Sequence, residues 1–141
     1  MTLNNAQTSI FGGGDHVYFG PGQPSAVSLY ATNGAADIVA GSNGAMTLND
    51  AQAYVSGTGN NIYLNGFTNL VAFQPNFGLE TVNGFGFDDA MQFSKSDFAD
   101  FAALHPMQSG ANTVIALDAA DSVTLTGVTA SSLTAAQFSF V

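Results

Sequence analysis

The residues that could do chemistry are few. The chain has ten Asp and Glu residues, a single lysine (Lys95), no arginine, no cysteine and two histidines, His16 and His105. Carboxylates occur as near neighbours in two places, Asp88-Asp89 and Asp118 with Asp121. Glycoside hydrolysis needs two carboxyls about 5–10 Å apart across a cleft, one of them with a raised pKa. Asp118 and Asp121 instead bracket a turn between two apolar stretches, where Asp commonly hydrogen-bonds its own backbone. Asp88-Asp89 precede an apolar stretch, where they could cap a turn or bind a cation. The histidines are far apart in sequence, and His105 precedes Pro106. No G-x-S-x-G elbow, H-E-x-x-H, P-loop or dinucleotide fingerprint is present. Gly12-Gly13-Gly14 lacks the lysine and the following helix of a phosphate loop. A polysaccharide lyase would need Arg or Lys to neutralise a carboxylate, and Lys95 alone does not supply that. These residues predict a protein that is not an enzyme.

The elements that must position these residues are bounded by composition. A chain of 141 residues predicts one core. Its net charge of −9, with only Lys95 to meet phosphates, argues against nucleic acid, anionic lipid and polyanionic substrates. A mean hydropathy of +0.21 and twelve phenylalanines predict a folded chain. No apolar run approaches the ~20 residues that cross a bilayer, and MTLNNAQTS has neither the basic region nor the apolar stretch of a secretory leader. The expectation is no membrane insertion and no export through an N-terminal leader. Without cysteine there is no disulfide framework.

Residues 2–19 (TLNNAQTSIFGGGDHVYF) align without a gap on residues 47–64 (TLNDAQAYVSGTGNNIYL), an offset of 45 with eight identities, among them Thr2/Thr47, Gln7/Gln52, Gly12/Gly57 and Tyr18/Tyr63. Within this repeat, short apolar stretches such as Val17–Phe19, Val27–Leu29 and Ile62–Leu64 alternate with GGG, PGQP, TNGA, GSNG and GTGNN, which is turn chemistry. The expected fold is all-β: a right-handed parallel β-solenoid, or β-roll, with two strands per coil and two coils per 45-residue repeat. The alternation predicts Val27 and Leu29 inward with Ser28 outward, and Val17 directly beneath Ile62. Tyr18 and Tyr63 would then form an outward ladder, as a structural stack or as a binding surface for sugar rings. From residue 77 the pattern changes. Ser94 to Leu104 predicts one short α-helix, capped by Ser94 and burying Phe98, Phe101 and Leu104. Thr113–Leu117 and Ser122–Thr126 predict a β-hairpin, and Gln137–Val141 a terminal strand. The expected organisation is one continuous domain with solenoid coils over 1–76 and a capping region over 77–141.

The stretch GFDDAMQFSKSDFADFAAL…GANTVIALDAADSVTLTGVTASSLTAAQFSFV, following Gly-rich coils, resembles the C-terminal region of bacterial type I-secreted β-solenoid proteins of the RTX, or hemolysin-type calcium-binding, kind. The resemblance covers residues 86–141 and, more loosely, the coils. It implies an extracellular or cell-surface protein exported by an ABC transporter that reads an uncleaved C-terminal signal. Such signals often carry an acidic residue before the last hydrophobic ones; here Gln137 stands in that place, before Phe138-Ser139-Phe140-Val141. The resemblance also implies Ca²⁺ held by turn aspartates, for which the candidates are Asp15, Asp37, Asp88 and Asp89. None of the turns, Gly12 to Val17, Asn33 to Ile38 or Gly57 to Ile62, completes the family nonapeptide, and Asp15 is replaced by Asn60 in the second copy. A metal-free solenoid whose Asn side chains bond the turn backbone is the other reading.

Together these readings predict a non-catalytic C-terminal solenoid and secretion or capping module. Two alternatives stay open: a self-assembling or adhesive protein, whose coils stack end to end as a homo-oligomer, and a carbohydrate-binding or carbohydrate-active domain.

Overall fold

In the computed structural model of the chain, residues 1–21, 24–30 and 34–141 are described. Gly, Asn and Asp punctuate apolar-polar alternations of four or five residues, and the alternations become strands. In chain order these are β1 (Thr2–Leu3), β2 (Gln7–Phe11), β3 (His16–Phe19), β4 (Ala26–Tyr30), β5 (Asp37–Ala40), β6 (Ala45–Asn49), β7 (Gln52–Ser56), β8 (Asn61–Asn65), β9 (Leu70–Phe73), β10 (Leu79–Asn83), β11 (Ala90–Phe93), β12 (Met107–Ser109), β13 (Asn112–Ala116), β14 (Ser122–Thr126) and β15 (Phe138–Phe140).

Strands fall alternately into two sheets. Sheet one has the order β1-β3-β5-β7-β9-β11-β15 with every pairing parallel, and sheet two runs β2-β4-β6-β8-β10-β14, also parallel, before β13 and β12 add antiparallel strands. A chain that returns to the same sheet in parallel register after visiting a second one is a parallel β-solenoid, here of about 5 turns. Each step along a sheet advances the winding by about 4.8 Å.

The core lies between the sheets. On sheet one, Val17, Val39, Val55, Phe73 and Phe93 are fully or almost fully buried, and Val17, Val39 and Val55 follow one another in register. On sheet two, Val27, Met46, Ile62, Val82 and Leu125 form the matching column. Ser28 faces outward between buried Val27 and Leu29, as the alternation predicts. Tight corners are what bring the sheets together. Gly57 has φ +117°, and a Cβ there would collide with the Gly41 carbonyl oxygen of the neighbouring rung, so this corner stacks closely only because both positions lack a side chain.

The 45-residue repeat does not mark stacked rungs. Register partners are separated by 16 residues where Thr2 meets Tyr18 and by 22 where His16 meets Ile38. Two rungs on from Val17 comes Val55, by way of Val39. Seven further residues then turn a corner to Ile62, which belongs to sheet two. The repeat thus spans two and a half rungs, and Val17 does not lie beneath Ile62. The inward character of each matched pair survives while the sheet changes: Leu3/Leu48, Val17/Ile62 and Phe19/Leu64 are all buried. Tyr18 and Tyr63 consequently project from opposite faces, and the expected tyrosine ladder does not exist.

The winding does not stop at residue 76. β10 and β11 make a further rung, residues 94–121 leave the coil as an insertion, and β14 and β15 resume it against β10 and β11. The hairpin predicted over 113–126 forms as β13 and β14, and β14 doubles as the last parallel rung of sheet two. The α-helix predicted over 94–104 is absent. Ser94 accepts from Asp97 and Phe98 in a single turn, Asp100 is extended (φ −162°, ψ −176°), and only Phe101–Leu104 coil, as a 3₁₀ turn whose Ala103 N–H bonds the Asp100 carboxylate. Ser and Asp side chains compete with the helical backbone. The expected apolar stripe still reaches the core: Phe98 and Leu104 are buried, and Phe98 meets Phe93 edge-on at 5.1 Å. With Phe73 and Phe77 at 5.4 and 5.7 Å from Phe93, these rings fill the last coils.

The described part of the turn from Asn33 to Ile38 begins at Gly34. Asn33, and Gly22 and Gln23 of PGQP, lie outside the described residues.

Candidate functional site

The chemistry-bearing residues sit at corners, and their placement explains much of the acidic composition. Asp50 accepts from Phe67 N–H at 2.7 Å. Asp118 accepts from the N–H groups of Ala120 and Asp121 at 2.7 and 3.0 Å, and Asp121 from Gly78 at 2.7 Å. Each rung breaks the sheet ladder at its corners, leaving backbone donors that need an acceptor, and a carboxylate makes the stronger, charge-assisted bond. Asp118 and Asp121 are thereby turn-forming groups, as their spacing suggests.

Among the four candidate metal ligands, Asp15 and Asp37 are brought together. The Asp15 backbone N–H donates to Asp37 Oδ1 at 2.9 Å, and Asp37 Oδ2 is buried without a partner among the described residues. Asp37 is fully buried and Asp15 exposed beside it. Burial pushes the Asp37 carboxyl above its ordinary range, with the neighbouring Asp15 charge acting in the same direction and the backbone bonds opposing it. Asp88 and Asp89 lie at the same edge of the solenoid but three strand steps away, at the start of β11, on the order of 15 Å. Both oxygens of Asp89 are occupied: Oδ1 accepts from Asn69 N–H and Nδ2 at 3.1 and 3.0 Å, and Oδ2 from Gly86 N–H at 2.8 Å. Asp88 is half-buried next to it. Asp37 with Asp15 has free oxygens suited to a hard cation; Asp89 is spent on the turn. No group of three or more His, Cys, Asp or Glu side chains converges among the described residues.

A buried acid that the sequence reading missed is Glu80. It lies inside the solenoid at 2% exposure, with Oε1 accepting from Asn60 Nδ2 at 3.1 Å and Oε2 unpartnered. Desolvation pushes its carboxyl up to about 8, against the opposing Asn60 bond, so it is largely protonated at neutral pH. The alternation held the clue. Glu80 shares a face with Val82, as Asp37 does with Val39, and both acids therefore point inward.

Asp37 and Glu80 are the only acids within the described strands. Among the described strands, the outward positions of both sheets carry chiefly Ser, Thr, Asn, Gln, Ala and Tyr, with Phe11, His16, Ile38, Leu70 and Leu79 among them and neither a carboxylate nor Lys95. His16 is exposed on sheet one next to buried Val17, and His105 is exposed at the C-terminal end of the 3₁₀ turn with φ +41°. The two are not brought together with a carboxylate pair. No protein-family model matches the chain, and no curated protein is significantly similar to it.

Proposed function

We propose that this chain is a non-catalytic, right-handed solenoid and capping module of an extracellular or cell-surface bacterial protein, with residues 77–141 serving as its type I export region. The observation that carries the non-catalytic part is the commitment of four of the acids: Asp50, Asp89, Asp118 and Asp121 accept backbone N–H groups at turns, so their oxygens hold the backbone and not a substrate. The export part rests on the resemblance of residues 86–141 and on a composition with one Lys and no Arg. Gly-rich coils would stay unfolded during passage through the ABC transporter, and the phenylalanine-filled last rungs would nucleate stacking outside the cell. Ca²⁺ at Asp15 and Asp37 belongs to the same reading, as a charge partner for the buried carboxyl. The decisive experiment appends residues 77–141 to a passenger protein in cells carrying a type I transporter. Passenger in the medium supports the proposal, and retention in the cell defeats it.

A second reading, end-to-end assembly, is favoured by the first rung. β1 and β2 are the edge strands of the two sheets at the first rung, β15 and β12 those at the other end; Ile10 of β2 is only half-buried, and Phe11 is 76% exposed with its ring stacked on Tyr30 at 4.9 Å. An unpaired edge beside an open apolar end invites a second strand. Filaments or dimers in negative stain would support it, and monomers at high concentration would refute it.

A further inference from the structure

Sheet one carries a built hollow on its outer face. A cleft of about 230 Å³ is lined by Ile38, Tyr54, Ser56 and Gln74. Tyr54 stands 40% exposed on β7, and Tyr18 stands 46% exposed on β3. Between them runs β5, which pairs Ile38 with Tyr54 and Ala40 with Tyr18. Two strand spacings and a two-residue offset place the two tyrosines about 12 Å apart. The floor between them is low, since Ala40 and Ser56 are small. No hydrogen bond joins the Ser56 hydroxyl, the Gln74 amide or the Tyr54 hydroxyl to another described residue, so each is available to a ligand.

We infer that this cleft is a binding site for an uncharged polysaccharide, with Tyr54 and Tyr18 as stacking platforms for two sugar rings of one chain and Ser56 and Gln74 as hydrogen-bonding partners of its hydroxyls. A pyranose presents a flat C–H face and a rim of hydroxyls, which calls for an aromatic surface flanked by neutral polar groups. Charge sets the class. Among the described residues, the only ionisable side chain at the outward strand positions of this face apart from the tyrosines is His16, and a chain of net charge −9 repels uronic-acid and sulfated polymers over a Debye length. The site is independent of the export proposal: Tyr18 and Tyr54 lie outside residues 77–141, and binding is measured on purified protein.

The test is affinity gel electrophoresis of the full chain through gels containing hydroxyethyl cellulose, xyloglucan, mixed-linkage β-glucan or soluble starch, with polygalacturonate as the anionic comparison. Retardation is expected in at least one neutral polymer and not in polygalacturonate. Tyr54→Ala should weaken it by about tenfold or more, and Tyr18→Ala and Gln74→Ala should weaken it less. Tyr63→Ala, on the opposite sheet, should leave it unchanged. All four positions are exposed or nearly so, and superimposable far-ultraviolet circular dichroism checks that each variant keeps the fold. Migration unaffected by every neutral polymer would overturn the inference, as would retardation by polygalacturonate alone or equal loss in Tyr63→Ala and Tyr54→Ala.

Discussion

At the residue scale, Glu80 concentrates the cost of placing an acid inside a stack of β-strands. Its ordinary value of 4.5 rises to about 8 in the fold, so the folded state binds the proton more tightly than the unfolded chain. The sign follows: this contribution is fully present below about pH 4.5, declines as pH rises towards 8 at about 1.4 kcal/mol per unit, and is constant above. Asp37 acts in the same direction. Glu80→Gln keeps the acceptor for Asn60 and removes the titration. Urea unfolding at pH 4.5 to 8.5 should show the wild type losing stability across the window and the variant losing less, since Asp37 still titrates in it, hence a variant more stable than wild type at pH 8. Equal slopes in the two proteins would mean that another group titrates. Both inward acids were legible as positions in an alternating pattern. Their desolvation was not, because it depends on the opposite sheet closing over them.

At the element scale, the segment 94–104 separates local from tertiary causes. Phe98, Phe101 and Leu104 have the spacing of a helical stripe, and that spacing does aim apolar side chains at the core. The backbone between them is a turn and a short 3₁₀ piece, because Ser94, Asp97 and Asp100 satisfy their own neighbourhood first. The energy resides in the rings and not in helical hydrogen bonds. Phe98→Ala, which empties a site 3% exposed, should cost about 3–5 kcal/mol in urea unfolding, far more than loss of one exposed capping bond. A change below about 1 kcal/mol would show that the last coils are closed by something other than this cluster.

At the scale of the whole molecule, ten acids face one lysine; Asp37 and Glu80 are buried in strands, and the other eight lie in the turns and connecting segments, while the outward strand positions carry no carboxylate. Self-repulsion therefore acts along the corner edges, where salt reaches it. Raising NaCl from 0.1 to 1 M shortens the screening length from about 10 to about 3 Å, and the melting temperature should rise. Calcium separates a bound ion from general screening. If Asp15 and Asp37 hold Ca²⁺, CaCl₂ at matched ionic strength should raise the melting temperature beyond NaCl, and Asp37→Asn should abolish the surplus. Identical curves in the two salts would remove Ca²⁺ from the proposed function. The neutral faces are also what make an uncharged ligand the natural occupant of the Tyr54 cleft.

The amino-acid sequence by itself determined which residues point inward and where the chain must turn, since alternation and Gly/Asn punctuation are local properties of backbone and side chain; these fit an antiparallel sandwich as well, and the long repeat was what pointed to a solenoid. It also determined the scarcity of catalytic groups. Tertiary structure alone decided the phase. A 45-residue repeat of inward and outward positions is satisfied equally well by two rungs or by two and a half, because both sheets demand the same strand chemistry. Only corner lengths, summed around the coil, put Val17 and Ile62 in different sheets. That half-rung is what separates Tyr18 from Tyr63.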